Sequence, residues 1–344
     1  MADAVLTSTA PTRRLGREAW VNLALLAALL AAGLIAHAAS EPFFVNLASR
    51  IAILATAGVG LNLALGYGGM VSFGHAAFFG LGGYAAGVAS LHAPDGWWYV
   101  EPLMTWPVAL DGTTSMPLIW LVAVALSSLI ALAIGALSLR TSGVYFIMIT
   151  LAFAQMIYYF AISWPAYGGE DGLPINQRNL FPGVDPYDPL GFFAISFAAL
   201  LLSLGLTARL MGSRFGHALT MAHLNETRLA TAGIAPYPVK LTAFVISAAI
   251  AGLAGALFAD LNGFVGPSML SWHRSGEFIV FVILGGVGRL CGPVAGAAAF
   301  VLLETFVGGA TERWQLFLGA ILLGTVLFAK GGIVGALAGK ARHD

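Results

Sequence analysis

Leu241-Thr242-Ala243-Phe244-Val245-Ile246-Ser247-Ala248-Ala249-Ile250-Ala251-Gly252-Leu253-Ala254-Gly255-Ala256-Leu257 runs on without one charged side chain. About 20 predominantly apolar residues suffice for a helix to cross the hydrocarbon core of a bilayer, so this stretch predicts a span over 240–261. Nine further stretches read the same way: 20–39, 46–66, 75–92, 117–139, 144–163, 190–208, 276–287, 291–308 and 314–330. The chain as a whole is 59% hydrophobic and 9% charged, with mean hydropathy +0.86. Soluble domains average roughly 45–50% apolar and 25% charged. The fold expected is therefore an all-α polytopic membrane protein with about ten transmembrane helices. Its 43 glycines suit close helix packing in lipid. The single cysteine, Cys291, excludes an internal disulfide or a Cys-based metal site.

Lys and Arg beside span ends favour the cytoplasmic side. With the N-terminus inside, Arg13, Arg14, Arg17, Arg140, Arg209, Arg214, Arg228, Lys240, Arg289, Lys330, Lys340 and Arg342 all fall inside, leaving Arg50, Arg178, Arg274 and Arg313 outside. An even number of spans returns the C-terminus to the cytoplasm. The expected organisation is a cytoplasmic tail over 1–19, a transmembrane domain over 20–330 and a cytoplasmic tail over 331–344. Within the domain, external loops cover 93–116 and 164–189, and a cytoplasmic loop covers 209–240. Residues 13–38 also resemble a cleaved signal peptide, but the apolar run is longer than the usual core of about 7–15 residues. An uncleaved first span is expected.

The external loops carry Trp97, Trp98, Tyr99, Trp106, Trp164, Tyr167 and Tyr187, residues that anchor at membrane interfaces. Gly168-Gly169-Glu170-Asp171-Gly172-Leu173 reads as a tight turn presenting two carboxylates, either solvated or facing a soluble partner. Phosphate-loop, zinc-protease and nucleophile-elbow patterns are absent from the sequence, so no ATP hydrolysis, metal site or catalytic residue is expected. Gly286-Val287-Gly288 has Cys291 where a dinucleotide fingerprint has its third glycine. Asp260, Glu277 and Glu304 fall near external span ends, where they are expected to reach water rather than form an intramembrane proton relay. A stand-alone ion-coupled carrier is thereby disfavoured.

Gly66-Tyr67-Gly68-Gly69-Met70-Val71-Ser72-Phe73-Gly74-His75 interrupts the apolar pattern. Broken helices survive at membrane depth only where the freed backbone is buried in protein or lines a wet cavity. In transporters such breaks commonly present a half-helix N-terminus to an anionic substrate group. Gly68, Gly69, Ser72, Gly74 and His75 are thus candidates for a substrate path, the alternatives being a plain cytoplasmic hairpin and a packed, hydrogen-bonded histidine. A second interruption, Leu284 to Pro293, repeats a glycine cluster, so two broken Gly-rich segments are expected. Gly83/Gly87 and Gly292/Gly296 are small-residue pairs suited to helix packing.

The loop 209–240 gathers Arg209, Arg214, His217, His223, Asn225, Glu226, Arg228 and Lys240. Ala218, Met221, Ala222, Leu229 and Ala232 fall near helical spacing, Gly233 is a natural stop, and Pro236 and Pro238 forbid continuation. Two short helices across the membrane face are predicted. With few large apolar anchors for lipid, they suit a groove on a protein partner.

Several of these motifs, taken in order, resemble the permeases of branched-chain amino acid ABC importers of the LivM type. The resemblance rests on Gly60-Leu61-Asn62-Leu63, Gly66-Tyr67, Ser72-Phe73-Gly74-His75-Ala76 and Arg140-Thr141-Ser142-Gly143-Val144-Tyr145-Phe146. It continues through Gly168 to Leu173, Glu226 to Ile234, Tyr237 to Leu257, Ser271-Trp272-His273 and Ile283 to Pro293. It implies translocation of branched-chain or other hydrophobic amino acids across a bacterial inner membrane by alternating access. The implied partners are a second related permease, two cytoplasmic ATPase subunits and a periplasmic substrate-binding protein, besides membrane lipid; nucleic acid is not one. No cofactor is implied for this chain, since ATP and Mg would be used by the ATPases. The ATPase-coupling residues implied are Arg214, His223, Asn225, Glu226, Arg228 and Gly233. His223 and Leu224 stand where the family usually has Arg and an acid, so a salt bridge expected there is missing or replaced. Urea and short-amide permeases have a related build.

Overall fold

The computed structural model describes residues 17–94, 111–175, 178–310, 313–328 and 331–339. Ten helices occupy the ten expected spans. They are α1 (Arg17–Ala38), α2 (Pro42–Asn62), α3 (His75–Leu91), α4 (Met116–Ser138), α5 (Val144–Ile162) and α6 (Pro189–Met211), then α9 (Pro236–Asn262), α10 (Trp272–Gly285), α11 (Gly292–Ala310) and α12 (Trp314–Phe328). Two short helices, α7 (Arg214–Leu224) and α8 (Glu226–Thr231), lie between α6 and α9, and α13 (Gly332–Ala338) follows α12. Among the described residues seven helices are long and apolar enough to cross a membrane. The shorter three are α3, α10 and α12, with 17, 14 and 15 residues. At a rise of about 1.5 Å per residue, α3 covers only about 26 Å. It starts inside the protein, after a non-helical segment, rather than at the membrane face.

Burial follows sequence in a way peculiar to lipid. The inward seam of α4 is Met116, Ile119, Ala123, Ser127, Ala131, Ile134 and Ser138, spaced three and four apart as one helix face requires. Its large residues Leu118, Leu121, Leu129 and Leu132 point outward. Small and hydroxylated side chains thus line the contacts and leucines meet the hydrocarbon, because helix association in lipid rests on close packing and interhelical hydrogen bonds. Ser127 Oγ donates to the Phe78 carbonyl at 3.1 Å, and Ser247 Oγ to the Gly60 carbonyl at 2.5 Å. From Val45 onward α2 is buried or nearly so along its length, packed by α1, α6, α9, α10 and α11. The first span is part of the bundle: Leu29, Gly33 and Ala36 form its buried stripe, and the Phe193 ring lies over Gly33.

Helices α3 and α9 cross backbone to backbone, as α10 and α11 do. A Cβ on Gly82 would stand 1.9 Å from the Gly252 carbonyl oxygen, and one on Gly255 would stand 1.7 Å from that of Phe79. The expected pair Gly292/Gly296 packs against α10 and the turn after it, touching Gly286 and Phe281 backbone. Gly83 meets the Met269 side chain and, with a Cβ position 3.4 Å from the Gly255 carbonyl oxygen, also α9, whereas Gly87 receives Leu173 and Val265 side chains; the closest backbone approach of α3 to α9 from its own glycines is at Gly82.

At the end of the bundle opposite α7 and α8, two-residue strands β1 (Leu173–Pro174) and β2 (Phe264–Val265) pair antiparallel, Leu173 opposite Val265. Gly168, Gly169 and Gly172, with φ of 88°, 51° and 79°, form the expected turn in a conformation that glycine adopts without steric cost. Glu170 and Asp171 are exposed there. They border a cavity of about 650 Å³ with Ser271, His273, Arg274 and Glu277. Trp164 and Tyr167 stack edge to face at 4.8 Å, whereas Trp97, Trp98, Tyr99 and Trp106 lie outside the described residues. So do Arg13, Arg14, Lys330, Lys340 and Arg342.

The acids behave differently from one another. Glu304 meets Arg50 at 2.8 Å and Glu277 meets Arg274 at 2.5 Å, each pair partly exposed. Asp260, expected to reach water, is fully buried. The segment after β1 folds over it, and Asn179 Nδ2 donates to its carboxylate at 2.6 Å. A charge-bearing side chain near a helix end escapes water when a loop covers that end, which span position alone does not reveal.

Candidate functional site

The first break begins as a π-helical turn, Leu63–Tyr67, that continues α2. Residues 68–74 are then non-helical. Backbone freed at membrane depth must find partners in the protein, and here it does. Gly69 and Met70 amides donate to the Leu65 and Ala64 carbonyls at 3.1 and 2.9 Å. Thr150 Oγ1 of α5 accepts from the Phe73 amide at 3.3 Å, and Ser72 Oγ accepts from the Gly74 amide at 3.1 Å. Ser275 Oγ of α10 donates to the Phe73 carbonyl at 2.7 Å and accepts from the Ala76 amide at 2.9 Å. Three helices therefore hold one unwound segment.

His75 opens α3 and is fully buried. Its Nε2 lies 2.6 Å from Ser247 Oγ, and the Phe78 and Phe244 rings stand edge-on to it at 5.7 Å. Ser72 is also fully buried. The path candidates thus separate by environment: Ser72, Gly74 and His75 are enclosed by protein, whereas Gly68 and Gly69 face a cavity of about 750 Å³. Of the first α3 amides, Ala76 is taken by Ser275 and Ala77 by the Gly74 carbonyl at 3.0 Å.

The same cavity is lined by His223 and Glu226, with Arg140, Thr141, Ser142 and Lys240. The cytoplasmic loop and the Gly-rich break, far apart in sequence, share one wall. The loop folds as the two expected helices. Asn225 caps α8, its side chain accepting from the Arg228 amide at 3.0 Å. Gly233, at φ 83°, ends it, with the Ile234 amide returned to the Leu229 carbonyl at 3.2 Å as helix stops of this kind require. Arg214 starts α7, and Arg228 is exposed on α8. Lys240 of α9 pairs with Glu226.

The apolar face differs from the one expected. Ala218, Ala222 and Leu229 are buried, but Met221 and Ala232 are exposed, and Leu219 is the fully buried residue of α7. A Leu219-centred stripe runs 215, 218, 219, 222, one turn face that the longer 218–232 spacing across the α7–α8 bend obscured. Of the pair that departs from the family pattern, His223 lies over Gly69 and Leu224 is 79% exposed. Sequence reasoning missed three residues at this site: Leu219, Lys240 as the partner of Glu226, and Asn62. The two breaks meet through Asn62, whose Nδ2 donates to the Arg289 carbonyl at 2.9 Å and whose Oδ1 accepts from the Gly288 amide at 3.0 Å.

A bundle of apolar helices around an unwound, glycine-rich segment, with a helical loop packed on that segment from one end, defines a polytopic membrane transport component. Residues 43–326 match the family described as "Branched-chain amino acid transport system / permease component", and the chain belongs to that family. It is 27% identical over 314 residues to the high-affinity branched-chain amino acid transport system permease protein LivM of Salmonella typhimurium, covering 84% of this chain and 69% of the relative. Identity to the LivM protein of Escherichia coli is 25% over 335 residues, 89% and 74% of the two chains. To BraD of Pseudomonas aeruginosa, likewise a branched-chain amino acid permease protein by name, it is 24% over 299 residues, 80% and 90% of the two. No solved structure matches the chain. The apolar helices and these relatives make the protein a multi-pass protein of the bacterial inner membrane.

Proposed function

We propose that this permease is one membrane subunit of an ATP-binding-cassette importer and translocates branched-chain amino acids, or other hydrophobic ones, by alternating access. A second related permease, two cytoplasmic ATPase subunits and a periplasmic substrate-binding protein complete the assembly. The observation that carries the reading is the packing of the α7–α8 loop on the first break. A helix that docks on an ATPase and also touches the unwound segment joins the energy source to the path. Arg214, His223, Asn225, Glu226, Arg228 and Gly233 form or shape the docking face. Gly68, Gly69, Ser72, Gly74 and His75 belong to the path, which in the enclosed conformation described above has to open before substrate meets Ser72 or His75. Opening exchanges the hydrogen bonds of Ser275 and Ser247 for contacts to the carboxylate and ammonium of the amino acid, while apolar helix faces receive its side chain.

Co-expression with the neighbouring subunits tests this. The complex should retain two ATPases through purification and take up leucine into proteoliposomes only with ATP inside the working compartment. Leucine uptake by this chain alone, without ATP, would overturn it.

A further inference from the structure

We infer that α7, through Leu219 and His223, is the lever that moves the first break, and that both are positioning residues for transport. The inference rests on the function proposed above; of the six implied coupling residues it singles out His223, adds Leu219, and gives the transmitting role to their shared face of α7. Leu219 and His223 are four apart on α7 and so share one face. That face holds two consecutive residues of the break. Leu219, fully buried, packs with Leu63, Ala64 and Met70, and its Cδ1 lies 3.4 Å from the position a Cβ on Gly68 would take. A Cβ on Gly69 would stand 2.4 Å from His223 Cδ2 and 2.8 Å from its Nε2. The ring therefore lies directly on the Gly69 backbone, which at φ 67° adopts a left-handed conformation that favours glycine.

The two helices of the loop are attached very differently. Buried contact of α8 reduces to Leu229, set with Ala218, Ala222 and Val239, and its ion pair to Lys240 has Glu226 half exposed. Such a pair yields readily, being screened by water. Leu219 instead sits in a close-packed cluster with Phe78, Phe146 and Phe244, and packed interiors shift as units rather than deform. Displacement of α7 by a partner is therefore passed to Gly68 and Gly69, and from them along a short non-helical segment to Gly74 and the start of α3. The α8 helix orients the docking face; α7 transmits.

The test is a double-mutant cycle in the complete complex reconstituted with its ATPases, second permease and binding protein, reading leucine uptake and ATP hydrolysis together. Gly69→Ala should lower uptake about tenfold or more while hydrolysis falls much less, so that ATP consumed per leucine rises. His223→Ala should remove the collision, leaving the Gly69→Ala/His223→Ala pair closer to His223→Ala alone than the product of the single effects demands. His223→Gln, which keeps a planar group over Gly69, should retain coupling. Where Gly69→Ala does not assemble, Leu219→Ala removes the other half of the grip and should raise ATP consumed per leucine in the same way. Single effects that multiply independently, or an unchanged ratio of ATP to leucine in both Gly69→Ala and Leu219→Ala, would overturn α7 as the lever while leaving the importer intact. A wild-type complex that binds no ATPase would overturn both.

Discussion

Gly82→Ala isolates the packing on which the bundle depends. The added Cβ would stand 1.9, 2.6 and 2.8 Å from the oxygen, carbon and Cα of Gly252, whereas Cβ contacts under 3.0 Å essentially never occur. All three atoms are backbone, so no rotamer can turn aside, and α3 and α9 must part locally by about 1 Å. Overpacking typically costs about 1–3 kcal/mol, and a contact of backbone on backbone belongs at the upper end. Replacing a helical glycine returns up to about 1 kcal/mol of backbone entropy, which leaves a net loss of about 2 kcal/mol. With an unfolding entropy of about 2.1 cal/mol/K per residue, a chain of 344 residues shifts by roughly 1.4 °C per kcal/mol, so the melting temperature should fall by about 3 °C. The assay is a thermal melt of the detergent-solubilised protein followed by tryptophan fluorescence, with Gly205→Ala of α6 beside it. Nothing lies near the Gly205 Cβ position, so that variant should melt at or slightly above the wild-type temperature. An unshifted Gly82→Ala melt would refute the close crossing, and an equal fall in both variants would trace the loss to helix flexibility instead.

Asn62→Ala removes both hydrogen bonds that join the two breaks and leaves the Gly288 amide and Arg289 carbonyl without that partner; a loss of about 2 kcal/mol is expected, read from the same melts. Glu226→Lys should weaken ATPase coupling while shifting stability by no more than about 1 kcal/mol, because the pair it breaks with Lys240 is exposed on the Glu226 side,; the Glu226→Lys/Lys240→Glu exchange should regain coupling if the ion pair rather than either charge matters, measured as ATP hydrolysed per leucine transported. Ser247→Ala deletes a hydroxyl bonded to both His75 and the Gly60 carbonyl and should lower the melting temperature by an amount equivalent to about 1–2 kcal/mol; a melt indistinguishable from wild type would remove it from the support of His75.

The spans were legible because lipid imposes one demand, length in apolar residues, that a single sequence displays directly. Leu241 to Leu257 needs no neighbour to be read as membrane helix. The unwound state of residues 68–74 was legible too, since Gly68, Gly69 and Gly74 withhold the side chains that would stabilise a continuous helix. What escaped depends on contacts between distant segments. Lys240 stands near Pro236 and Pro238 in sequence and reveals nothing of Glu226, fourteen residues earlier, until α9 turns back beneath α8. Leu219 sits beside Ala218 in a short amphipathic helix, and its partners Leu63, Ala64 and Met70 belong to a different span. Asp260 carries no mark distinguishing it from Glu304, because the cover that buries it comes from Asn179 in a separate loop. His223 is marked in the sequence as a coupling residue, but its contact with the bare glycine at 69 shows only once α7 packs on the break.

The small ladder joining β1 and β2 bears on the order in which the molecule can be made. Its two strands are separated by about ninety residues, and the intervening chain includes α6, α7, α8 and α9. At roughly 5–20 residues per second, Leu173 emerges about 5–18 s before Val265 exists to meet it. Through that interval the glycine turn at 168–172 and the side of α3 on which it rests are without their lid, and Asn179 is without the carboxylate it will hold. Insertion of α9 is thus the event that seals this face, and biogenesis, not only transport, runs through the same helix.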